Sequence, residues 1–230
     1  MDRGTGANAH REPLVGVAAI RNYFRTDETP VYFVSATAFN LLGIDRWLRS
    51  FFYINYFDSF EGTHPRVFVP KELPYREFES MEDICNYLLG HKEVLDRIAS
   101  RNKTHPPGKC VFVMFDDDTE KAAAAAGLEV AHPSAELRHR LDSKIVTTQL
   151  GNEAGVPSAP NILGRATSFE ELTALAEQAG LGDDLVVQTP YGDSGKTTFF
   201  IKGERDWDRY AGDIVDEELK VMRRINNRAA

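Results

Sequence analysis

Apolar residues in this chain fall into short unbroken runs, separated by stretches where they recur every three or four positions. The runs are VYFVS at 31–35, FFYINYF at 51–57, CVFVMF at 110–115 and, bracketing a polar loop, LVV at 185–187 and FFI at 199–201. Runs of this length, rich in β-branched and aromatic residues, predict buried strands. Shorter extended segments are predicted over 66–69, which Pro70 stops, and over 128–131, 158–163 and 218–225. Helical spacing over 81–100, with a break at Gly90, follows a good N-cap at Ser80, with Asp83 three residues on. Further helices are predicted through the alanine run 122–126, ended by Gly127, and over 134–140, 143–154, 168–179 and 204–213. Ser168 and Glu171 have the spacing of a capping box. Residues 37–49 have apolar positions at partly helical spacing, and 14–24 reads as a short helix or a segment lying across the domain behind it.

The order of these elements divides the chain. Residues 1–29 are polar and weakly patterned, and the first dozen read as disordered. Over 30–133 strands alternate with helices, which predicts an α/β domain built on a doubly wound parallel sheet. Such sheets bind ligands beyond the carboxyl ends of their strands. Asp116, Asp117 and Asp118 fall at such an end and are substrate-site candidates. The competing reading, which the residues favour, is helix capping, because acids suit a helix N-terminus. The texture changes after His132-Pro133, so a boundary is expected near 133, with a second, α+β unit over 134–230.

Composition narrows the function classes. Hydrophobic content of 42% and charged content of 27% describe an ordinary soluble globular protein. A formal net charge of −8 argues against broad nucleic-acid binding. No run reaches transmembrane length and no signal-peptide core opens the chain, so no membrane partner and a cytoplasmic location are expected. Cys85 and Cys110 lack metal-site spacing and read as buried free thiols. The six histidines are scattered, and His64, His132 and His139 have no matching partner in sequence, so no Ser/His/Asp or Cys/His nucleophile is indicated.

The densest chemistry lies between the last two apolar runs, in Tyr191-Gly192-Asp193-Ser194-Gly195-Lys196-Thr197-Thr198. Glycines here let backbone approach a ligand or take positive φ. The hydroxyls, free N–H groups and Lys196 can all meet phosphate oxygens. A strand–glycine loop–strand hairpin folding over an anion is predicted, with no obvious packing partner for the loop. A P-loop is the competitor. Gly195-Lys196-Thr197 has its ending, but Pro190 stands where its first glycine belongs, and TTFFI favours a strand where a P-loop opens a helix.

Asp142-Ser143-Lys144 at a helix start, Ala154-Gly155-Val156-Pro157 at its end, then an extended segment, a helix and the glycine-loop hairpin form an ordered set. Over roughly 134–225 this set resembles the ATP-grasp superfamily, specifically its biotin-carboxylase-like ligases, and the preceding α/β region is similar to the domain before that fold. The resemblance implies ATP and Mg²⁺ as cofactors and a small carboxylate substrate, activated as an acyl phosphate for attack by an amine or other nucleophile. It leaves a homo-oligomer open. Lys144 resembles the helix lysine that reaches the phosphates. Gln188 stands where many members carry a second phosphate-binding lysine; its amide brings no charge, and Lys196 is the candidate replacement. Residues 191–198 correspond to the flexible lid, and Met222, Arg223, Arg224 and Ile225 would lie near the adenine. The family's metal-binding carboxylates and Asn lie further on, beyond Ala230, so a ligase is expected of the full-length protein and inactivity of these 230 residues alone. A non-catalytic nucleotide-binding or interaction domain is the alternative.

Overall fold

The computed structural model describes residues 13–71, 76–192 and 195–225. The chain divides into two compact units between Ala135 and Glu136, each with its own sheet.

The first unit runs α1 (Val17–Thr26), β1 (Val31–Ser35), β2 (Phe51–Asn55), β3 (Val67–Phe68), α2 (Met81–Gly90), α3 (Lys92–Asn102), β4 (Lys109–Val111), α4 (Asp117–Ala125) and β5 (Glu129–Val130). All five strands are parallel, in the order β3-β2-β1-β4-β5. β1 is central, and Tyr32, Phe33 and Val34 are wholly buried. A strand covered on both faces reads as an unbroken apolar run, which is why it was visible in sequence. One face packs Val34, Leu88, Ile98, Cys110 and Ala123. The other packs Phe33, Phe51 and Tyr53.

Three local expectations change. Residues 37–49 hold two short 3₁₀ turns, Phe39–Leu41 and Ile44–Arg46, where helical spacing suggested more; Gly43 between them has φ 89°, outside helical space. The strand at 110 stops at Val111. The Phe112 N–H donates to His132 Nε2 at 3.0 Å and so leaves the ladder, and Phe115 stacks on the same imidazole at 5.3 Å. The Ser168–Glu171 pair is half a capping box. Ser168 Oγ accepts from the Glu171 N–H, but the Glu171 carboxylate accepts from the N–H and hydroxyl of Thr167, one residue earlier.

The second unit contains α5 (Ala135–Asp142), which starts at the division, α6 (Lys144–Glu153), β6 (Asn161–Gly164), α7 (Phe169–Gln178), β7 (Leu185–Gln188), β8 (Thr198–Ile201), α8 (Glu204–Ile214) and β9 (Leu219–Arg223). Its sheet is antiparallel, in the order β6-β9-β7-β8. One face buries Leu185, Val187, Phe199, Ile201, Leu219 and Val221 against Leu172 and Ala176 of α7 and Trp207 and Ile214 of α8. The alternate residues point to the opposite face. No helix among the described residues is long and apolar enough to cross a membrane.

Candidate functional site

Strand register sets the open face of the second sheet in two rows. Asn161, Met222, Val186 and Phe200 lie side by side across the four strands, and Leu163, Lys220, Gln188 and Thr198 form the next row. Phe200 is 49% exposed, with the Arg224 guanidinium 4.6 Å above its ring. The second row borders the β7–β8 loop, where the glycine-rich segment lies.

Lys144 is the first residue of α6, and Ser143 is its cap, accepting from the Val146 N–H. Its backbone N–H donates to Pro190 O at 2.8 Å. Its ammonium donates to Gly192 O at 2.6 Å and to Thr197 Oγ1 at 3.4 Å. Lysine and loop, 48 residues apart, are thus one assembly. Gly192 has φ 127°, and a Cβ there would collide with the Thr197 side chain; Gly195 has φ 81° with open space around it. Both glycines answer a backbone requirement. Tyr191 stacks on His139 of α5, centroids 4.6 Å apart and planes 11° from parallel. The loop therefore has packing partners, contrary to expectation, and His139 has a ring partner that sequence spacing hid. The Gln188 amide donates to Thr198 Oγ1 at 3.0 Å across the hairpin. Lys196 is exposed in the loop. Asp193 and Ser194 lie outside the described residues.

Thr198 opens β8, not a helix, which removes the P-loop reading. Met222 pairs with Val186 and Arg223 with Leu185, while the Arg224 N–H donates to Asp184 O at 2.8 Å. Arg223, Arg224 and Ile225 thus stand at the far end of β7 from the loop, Arg224 about 13 Å from Gln188 at roughly 3.3 Å per residue, with Met222 part-way along. Between the two ends lies the apolar floor of Val186, Met222 and Phe200.

The acidic triplet sits in the first unit as a helix start. Asp116 Oδ1 accepts from the N–H and hydroxyl of Thr119, both at 2.8 Å, and from Asn86 Nδ2 at 3.3 Å. Burial alone would raise its carboxyl, but these bonds and one from the Asp118 N–H hold it below the usual carboxylate range. Asp117 and Asp118 lie in the first turn of α4, Asp118 paired with Lys121 at 2.8 Å.

Sequence reasoning missed Lys220. It is partly buried on the open face, in register with Gln188, and burial lowers its pKa. The signal was present in Leu219-Lys220-Val221, a lone cation between two core residues of a strand.

A parallel sheet followed by a four-stranded antiparallel sheet is a fold that this chain shares with solved structures of low sequence identity. The biotin carboxylase domain of a Hydrogenobacter thermophilus 2-oxoglutarate carboxylase, solved with MgADP, ADP and bicarbonate, matches with TM-score 0.55 at 13% identity, over 87% of this chain and 45% of that one. An Aspergillus clavatus N5-carboxyaminoimidazole synthase, solved with ADP and 5-aminoimidazole ribonucleotide, matches with TM-score 0.50 at 13% identity, over 86% and 47%. An N5-carboxyaminoimidazole ribonucleotide synthetase in its ADP complex matches with TM-score 0.50 at 11% identity, over 86% and 48%. The chain thus spans about half the length of the solved structures it matches. No family model and no curated protein sequence matches it.

Proposed function

We propose that this chain is the nucleotide-binding part of an ATP-dependent ligase, one that activates a small carboxylate as an acyl phosphate for attack by an amine or other nucleophile. The observation that carries this is the Lys144 ammonium held against Gly192 and Thr197 of a glycine loop, at one end of an open sheet face. Solved structures of this fold contain ADP, and one contains bicarbonate, a small anion with a carboxylate-like group. In this reading the loop N–H groups and Lys144 receive the phosphates, because a lysine whose ammonium is held by neutral oxygens gains when an anion replaces them. Met222, Arg223, Arg224 and Ile225 border the base, with Val186 and Phe200 as its apolar floor. ATP would supply the phosphoryl group. Among the described residues, no group of three or more His, Cys, Asp or Glu could hold a metal ion. The buried free thiols of Cys85 and Cys110 support a reducing compartment such as the cytoplasm.

Lys144→Ala tests the reading. A charge-assisted contact is worth roughly 1.5–3 kcal/mol, so calorimetric titration should show ATP affinity lower by about tenfold or more, with the ligand-free melting temperature little changed. Unchanged affinity overturns it. A binding module without turnover is the second reading, favoured by Gln188, which brings no charge and whose amide is engaged with Thr198. Phosphate release by the full-length protein with ATP and candidate carboxylates, absent in its Lys144→Ala variant, decides for the ligase.

A further inference from the structure

We propose that Lys220 of β9 is a phosphate-gripping residue of this site, acting beside Gln188 as the second cation with Lys144. The inference rests on the nucleotide reading above and adds a residue from β9.

Lys220 stands directly opposite Gln188 in the β7–β9 ladder, and Gln188 stands directly opposite Thr198 in the β7–β8 ladder. Residues opposite one another in antiparallel strands share a face, with Cβ atoms about 4.5–5.5 Å apart. An ammonium, an amide and a hydroxyl therefore form one polar row across three strands. The buried neighbours of Lys220 along β9, Leu219 and Val221, point to the other face. This row ends at Thr198, where the chain leaves the glycine loop, and the Thr197 hydroxyl beside it already accepts from the Lys144 ammonium. Lys144 thus holds the loop from α6, while Lys220 stands in the sheet row that leads to it.

The energetics of Lys220 point to an anion. It is partly buried, and no hydrogen bond or ion pair to it is found among the described residues. Burial lowers its pKa and no carboxylate offsets that effect. A partly desolvated ammonium without a counter-charge costs some stability. Such a cost is recovered when an anion binds it, and a polyphosphate running from the loop across the row is the anion this geometry takes. Lys196, by contrast, lies exposed in the loop, where a charge contact is screened. The chemical class is a nucleoside triphosphate or an inorganic polyphosphate, gripped through its phosphates.

The test compares Lys220→Met, Lys220→Arg and Lys196→Ala with the full chain, using titration calorimetry and thermal melting. Lys220→Met should raise the ligand-free melting temperature, because it removes a desolvated charge, and weaken ATP binding tenfold or more. Adenosine binding should not change. Lys220→Arg should keep most of the ATP affinity, and Lys196→Ala should lose little. ATP affinity unchanged in Lys220→Met, while Lys144→Ala loses it, overturns the role of Lys220 and leaves the nucleotide reading standing. Loss in Lys196→Ala alone transfers the charge to the loop and overturns the proposal in the same way. If the unaltered chain binds no ATP, tripolyphosphate decides. Melting raised by it in the unaltered chain but not in Lys220→Met keeps the anion site and ends the nucleotide reading. No effect in either ends both.

Discussion

Gly192 and Gly195 have different requirements, though both take positive φ. A Cβ at Gly192 would strike the Thr197 side chain, whereas one at Gly195 would meet nothing. Gly195→Ala should therefore cost about 1–2 kcal/mol, from the left-handed backbone alone. Gly192→Ala should cost more, and Thr197→Ala should relieve part of it. A double-mutant cycle read by urea denaturation should show a coupling of about 0.5–3 kcal/mol; additive losses would mean the two side chains do not meet. His132 is a residue whose protonation opposes folding. Burial lowers its pKa below 6.5, and its Nε2 already accepts from the Phe112 N–H, a bond that protonation removes. The folded state binds its proton less readily than the unfolded chain. The contribution of His132 is therefore complete above pH 6.5 and is lost as pH falls through the lower folded value. Urea midpoints at pH 7.5 and 5 should fall further in the parent chain than in His132→Gln. Cys85 and Cys110 have thiols pushed up to about 12 by burial, so neither offers a thiolate at neutral pH. A thiol reagent should label them only on unfolding.

Individual elements show which signals survive in a linear sequence and which do not. Local signals survived. The buried runs became β1, β2 and β7, and Ser80, Ser143 and Ser168 all cap the helices they precede. Signals completed by distant partners did not. The run at 110–115 looked like one strand, but its second half answers to His132, twenty residues on. Lys144 and the loop could be named separately, but the hydrogen bonds joining them depend on α6 being brought against Pro190 and Gly192. Lys220 was hidden because β9 inserts between β6 and β7, not beside β8, so only the finished register puts it opposite Gln188. The loop itself is held more firmly than its composition suggested. Tyr191→Ala should remove the stack on His139, and hydrogen exchange at 191, 192 and 195–197 should then rise more than at 185–188. Unaltered exchange would show that Lys144 alone seats the loop.

Across the whole molecule each unit has its own core, and each carries one of the two tryptophans. Trp207 is buried beside Leu172, whereas Trp47 is about half exposed. In a Trp47→Phe background fluorescence reports the second unit. Leu172→Ala should lower the stability read by Trp207 by about 2–5 kcal/mol, the usual cost of emptying a leucine site. ATP should raise that same transition, by an amount growing with the logarithm of its concentration. A Trp207 signal indifferent to saturating ATP would count against binding in this unit. The net charge of −8 belongs to this scale too. It disfavours a polyanion, so a phosphate ligand must be drawn by local cations, and affinity should fall as salt rises.

The link between the Lys144 N–H and Pro190 O is made by main chain on both sides. Evolution edits side chains, and this tether has none to edit. Replacing the lysine leaves the loop entrance moored to the start of α6, so the geometry of the mouth outlasts changes in its chemistry.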